Sequence, residues 1–165
     1  MAVLDSSLTQ TSHGAAYLTI ADGGANTITL KFEGSFSWEE TGRSVTEALN
    51  RGRHLSTPNV IETGDNNVAV TLDGLITSYL GSSNTHVYEA MKFTGTASSW
   101  ASTTDGSAKC FRLTYTTIEP NSTTTQTLTF AYCHLDTISI DPRGDDGKTS
   151  FSASITDYEN QPTVA

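Results

Sequence analysis

The sequence predicts a mainly β fold, a β-sandwich or partly closed barrel with one flanking α-helix, and three observations carry that expectation. The stretch from Thr27 to Trp38 alternates without a break. Ile28, Leu30, Phe32, Gly34, Phe36 and Trp38 hold one parity; Thr27, Thr29, Lys31, Glu33, Ser35 and Ser37 hold the other. That is the pattern of an extended strand with one face on a core and one in water. Further alternating runs follow, separated by turn compositions, while a single stretch carries apolar residues at helical spacing. Composition agrees: only 16% of residues are charged, so Ser and Thr supply much of the polar surface, and Thr favours strands.

Taken in order, residues 1–14 are Ser- and Thr-rich without periodicity and read as an arm that orders against a partner. Ala15 to Ile20 is a first strand, and Asp22-Gly23-Gly24-Ala25-Asn26 is a turn leading into the long strand, so the two make a hairpin. The long strand would reach roughly 36 to 40 Å, well beyond the usual strand of about five or six residues. Such length suggests a sheet that continues past one domain. Residues 39–60 form an excursion whose pattern fits a short helix through Val45, Ala48 and Leu49, or a strand through Val45, Glu47 and Leu49; the extended form is favoured. A strand follows with Val68, Val70 and Leu72 on one face and Ala69, Thr71 and Asp73 on the other, with room to continue toward Leu80. The helix is HVYEAMKF, with Ser83, Asn84 or Thr85 available as N-cap, Val87, Tyr88 and Met91 at helical spacing, and Gly95 as the stop. After a small-residue loop holding Trp100 come strands through Phe111, Leu113 and Tyr115; through Leu128, Phe130 and Tyr132 toward Ile138 and Ile140; and through Phe151, Ala153 and Ile155. The whole reads as one domain over 15–160, with 161–165 as a C-terminal tail.

Charge and cysteine content bound the function. Eighteen acidic residues against nine basic ones leave a net charge of -9, the wrong sign for binding driven by phosphate neutralisation. No basic-then-apolar leader and no membrane-length apolar run is present, so folding in the cytosol is expected. Cys110 and Cys133 then read as two buried thiols, and the sequon Asn121-Ser122-Thr123 as loop.

No catalytic constellation, cofactor loop or metal set emerges. His13, His54, His86 and His134 lack ligand spacing, and Cys133 and His134 face opposite sides of a strand. Asp141 to Gly147 has carboxylates and an Arg-Gly-Asp triplet but not the order of a calcium loop. Glu39 and Glu40 diverge on a strand and make a poor acid/base couple. The expectation is that the chain is not an enzyme and needs no cofactor.

Two longer stretches carry a resemblance. EGSFSWEE followed by NRGRHLSTPNVIETGDNNVAVTLDG, and then SYLGSSNTHVYEAMKFTG, resemble the strand, Arg-Gly loop, returning strand and flanking helix of the major tail tube proteins of long-tailed bacteriophages, over roughly 15–158. The resemblance implies hexameric rings whose long strands form one inner β-barrel, stacked into a tube through which DNA is delivered without specific binding. It implies a virion protein assembled in the host cytoplasm. Its partners would be other copies of itself, the tape measure protein, and the tail terminator and distal tail proteins. Lumen-facing candidates are then Glu33, Asp73 and Lys31. Candidates for contacts between rings are Arg43, Arg51, Arg53 and His54, basic groups in an otherwise acidic chain. Two other readings fit the same residues: a tail terminator or head-tail connector that forms a single ring, and a carbohydrate-binding or adhesin-like sandwich using Trp38 and Trp100. Against the last, Trp38 shares the apolar face of its strand, which predicts a core position.

Overall fold

The structure, a computed structural model, describes residues 16–41, 44–48, 59–63, 67–76, 85–105, 108–118, 125–142, 148–158 and 163–164. The strands are β1 (Ala16–Ala21), β2 (Thr27–Thr41), β3 (Ser44–Ala48), β4 (Asn59–Thr63), β5 (Asn67–Ile76), β6 (Phe111–Ile118), β7 (Thr125–Asp141), β8 (Thr149–Asp157) and β9 (Thr163–Val164). The helix, α1, spans Val87–Lys92 and is followed by a 3-10 turn at Gly95–Ala97.

The larger sheet runs β6-β1-β2-β5-β8-β7, and a further pairing of β6 with β7 closes it into a six-stranded antiparallel barrel. The chain is therefore mainly β and barrel-like, with one small α-helix among the described residues. β9 pairs with β7 at Leu128 and Thr129, and β3 and β4 form a separate two-stranded sheet. The excursion after Trp38 is thus extended where it is described.

Period-two patterning sets the core. Leu18 and Ile20 of β1, Ile28, Leu30 and Phe32 of β2, Val68, Val70 and Leu72 of β5, and Phe151, Ala153 and Ile155 of β8 all point into the barrel and are buried. Phe32 meets Phe151 edge-on at 6.4 Å between ring centroids, a geometry that adds to area burial. Cys110 and Cys133 are buried free thiols, and burial pushes the Cys133 thiol well up, with the Asp157 carboxylate adding to the effect.

Four expectations are corrected. α1 has His86 at its N-cap position with no side-chain cap bond, not Ser83, Asn84 or Thr85. Its buried face is Val87, Ala90 and Met91, while Tyr88 points outward under Lys92. A helix this short owes its stability to packing against the barrel rather than to propensity. Trp38 keeps the apolar parity but is 42% exposed, because β1 pairs with β2 only as far as Phe32. Finally, Tyr132 leaves the core face of β7. Extra β7 residues enter between Phe130 and Cys133 opposite β6, and between Leu135 and Thr137 opposite β8. Each insertion flips the parity, so Cys133 and Leu135 face inward before Ile138 and Ile140 resume the original phase.

The turn from β1 to β2 is organised by Asp22, a buried carboxylate. Its Oδ1 accepts from the backbone N–H groups of Gly24 and Asn26 at 2.8 and 3.0 Å. Its Oδ2 accepts from Asn26 Nδ2 at 2.7 Å and from the Ala101 N–H at 3.0 Å, tying the hairpin to the Trp100 loop. Burial works against the charge, but the bonds from Asn26, Ala101 and Gly24 outweigh it and hold the carboxyl below its ordinary value of 3.8. A depressed folded-state pKa gives stability that is present above pH 3.8 and lost as pH falls through the folded value. Asp22→Ala is expected to cost about 2–3 kcal/mol at pH 7. Urea melts of both proteins across pH should show that gap narrowing below about pH 4; a gap independent of pH would contradict the assignment.

Candidate functional site

The candidate site is a sheet rather than a pocket. β2 and β7 are 15 and 17 residues long, and each exceeds its short neighbour. β1 covers one edge of β2 only up to Phe32, after which the other edge pairs with β5 from Phe32 to Thr41. β6 covers one edge of β7 only up to Cys133, after which the other edge pairs with β8 as far as Asp141. The outcome is a four-stranded sheet, β2-β5-β8-β7, projecting past β1 and β6. Among the described residues, no strand pairs with the outer edge of 33–41 or with the outer edge of 134–141.

Those two edges run in opposite directions, because three antiparallel steps separate β2 from β7. An edge with unpaired N–H and C=O groups is a template for another chain. Here the β7 edge of one copy and the β2 edge of the next are antiparallel to each other, so the alternation continues unbroken through any number of copies.

The outward face of this sheet is polar apart from Leu75 and Ala69. Ser35, Asp73, Ser152 and Ser139 lie side by side, as do Ser37, Thr71, Ser154 and Thr137, and as do Glu33, Leu75, Ser150 and Asp141. Glu39 continues the same face of β2, and Asp136 joins it by accepting from Thr156 Oγ1 at 2.6 Å. The face carries the carboxylates Glu33, Glu39, Asp73, Asp136 and Asp141, with Lys31 and Lys148 beside them. Five negative and two positive groups leave a net of -3 per copy.

Of the three lumen candidates, Glu33 and Asp73 lie on this face, and Lys31 lies just beyond its end on the same parity of β2. Glu33 does not stand alone. Lys148 Nζ donates to Oε2 at 2.5 Å and Lys31 lies 3.7 Å from Oε1. The bond from Lys148 holds the Glu33 carboxyl below the usual carboxylate range against a partial burial effect, with Lys31 adding to it. Asp73 is exposed in the middle of the sheet. Lys148, Asp136 and Asp141 were missed from sequence. Lys148 had one signal, its position immediately before an alternating strand, whereas Asp136 sits on a bulge that no alternation count locates. The ring-contact candidates Arg43, Arg51, Arg53 and His54 lie outside the described residues, as do residues 1–14.

Among the described residues, no group of three or more His, Cys, Asp or Glu could hold a metal ion, and no helix is long and apolar enough to cross a membrane. A shallow recess of about 430 Å³ beside the Asp22 turn is lined by Asn26, Thr27, Thr85, Thr96, Ser99 and Trp100, with no histidine, cysteine, lysine or carboxylate in its lining.

No protein-family model and no curated protein sequence matches the chain. Among solved structures, the chain is similar to Hcp1 from Flavobacterium johnsoniae, at 12% identity and a TM-score of 0.44, over 92% of this chain and 99% of that one. A likeness of that depth carries no argument about function.

Proposed function

We propose that the chain is a structural subunit, not an enzyme, whose copies join edge to edge into a ring around a channel and whose rings stack into the tail tube of a long-tailed bacteriophage. The observation that carries this reading is the pair of open, oppositely directed edges on one four-stranded sheet. Head-to-tail pairing of unlike edges closes into a ring when the rotation between copies allows it, and closure removes every exposed edge. Six copies is the number the sequence resemblance implies. The apolar side of the sheet faces the barrel core, where Phe32 and Phe36 meet Tyr115 of β6, so the polar side is the one left to line the channel.

That wall suits a conduit for DNA. Ser and Thr hydroxyls hydrate it, and a net of -3 per copy repels phosphates that a basic wall would hold. The partners are further copies of the chain, a tape measure protein, and terminator and distal proteins at the tube ends. The protein is a virion component assembled in the host cytoplasm.

Sedimentation of the purified protein from micromolar to millimolar concentration, with negative-stain imaging, tests the reading. Hollow filaments are expected. A 17.6 kDa monomer throughout would contradict it, and lone rings would favour a terminator or connector role instead. Wall charge is tested by changing Glu33 and Asp73 together to Lys, which removes two negative and adds two positive charges and turns -3 into +1 per copy. Tubes are expected to form normally and to gain DNA binding that weakens steeply between about 50 and 200 mM salt. Tubes that still ignore DNA at low salt would contradict the placement of this face on the channel.

A further inference from the structure

Resting on that edge-to-edge reading, we propose that Trp38 anchors the contact between copies and that what covers it is the β7 edge of the neighbouring copy at Leu135. Trp38 ends a continuous apolar row, Trp38, Val70, Ile155 and Leu135, read across β2, β5, β8 and β7. The middle pair is fully buried, whereas Trp38 is 42% exposed because no described strand lies beyond it. One flank of its indole rests on Phe130 at 6.4 Å between ring centroids. Nearby, Phe36 stacks on Tyr115 at 4.1 Å with the planes 8° apart, which stiffens the surroundings of the open flank.

The arrangement selects a second copy as the occupant. A neighbour that continues the sheet must match polar face to polar face, and that places its apolar β7 residues on the side of the sheet where Trp38 projects. Leu135 holds the far end of the same row, and Ile138 is level with Phe36 in the row below. Both are only partly buried in one copy. Joined with Leu135 of one copy opposite Trp38 of the next, the edges make the row continuous from copy to copy, with a large rigid aromatic at each junction, the residue type that dominates interface energetics.

The chain has two tryptophans, and Trp100 is 7% exposed, so fluorescence isolates Trp38 as the accessible one. As wild-type protein is concentrated through its assembly transition, emission is expected to shift to the blue and acrylamide quenching to fall to the level of a buried indole. Trp38→Ser is expected to raise the concentration for half-assembly at least about tenfold with an unchanged circular dichroism spectrum. Ser37→Ala, one residue away on the polar face, should assemble like wild type. Wild-type assemblies whose emission and quenching match the monomer would overturn the proposal while leaving edge pairing intact, and need no variant to observe. So would a folded Trp38→Ser protein that assembles at the wild-type concentration. A wild-type chain that never assembles would overturn both readings.

Discussion

Replacing Gly34 by valine is expected to part β2 from β5 and lower the melting temperature by about 6–12 °C, the equivalent of roughly 3 kcal/mol in a domain of this size. Gly34 lies directly opposite Gly74. A Cβ built on Gly34 would come within 2.4 Å of both the Gly74 Cα and the Asp73 carbonyl oxygen, and one built on Gly74 would sit 2.4 Å from the Glu33 carbonyl oxygen. Both obstacles are backbone, which cannot rotate aside, so the strands themselves must separate. The damage falls at the base of the projecting sheet, two residues past the end of the β1 pairing at Phe32, and assembly should fail at concentrations where the wild type is expected to assemble. Ser35→Ala, on the adjacent polar position, should melt like wild type. A Gly34→Val protein melting within about 2 °C of wild type would show that the close approach of the strands is not required.

The fold was legible where one face of a strand is buried along its whole length. In the first half of β2, in β5 and in β8, parity alone placed Ile28, Leu30, Phe32, Val68, Val70, Leu72, Phe151, Ala153 and Ile155 on the buried face, because an uninterrupted ladder has no other way to hide its apolar set. It failed in β7 for a definable reason. Two single-residue insertions cancel over the length of the strand, so Phe130 and Ile138 share a parity that Cys133 and Leu135 do not. Counting from either end gives a consistent but wrong middle. Trp38 shows a different limit: its parity was read correctly and its burial was not, since burial depends on how far a neighbouring strand reaches.

The candidate site was less legible than the fold. The length of β2 raised the expectation of a sheet larger than the domain, and Glu33, Lys31 and Asp73 were placed on the polar side of their strands from alternation. The pairing that gives the sheet two open edges is a property of partners far apart in sequence, and no local pattern encodes it. The ion pair of Glu33 with Lys148 spans 115 residues and is invisible for the same reason. Asp22 was read only as part of a glycine turn, and its bond to the Ala101 N–H likewise depends on the fold.

The central claim, that copies join β7 to β2, is tested most directly by cysteine cross-linking across the open edges. Ser37 and Thr137 share a row, as do Ser35 and Ser139. Within one chain the members of each pair are separated by β5 and β8, about 14 Å at the usual strand spacing and about twice what a disulfide spans. Any bond they form must therefore link two copies. With Ser37→Cys and Thr137→Cys together, or Ser35→Cys and Ser139→Cys, mild oxidation of assembled protein should give a non-reducing gel ladder that ends at a closed ring. Each single variant and the wild-type chain, whose own cysteines are buried, should stay at the mass of one chain. Assembled protein that yields no ladder from either pair would contradict the account.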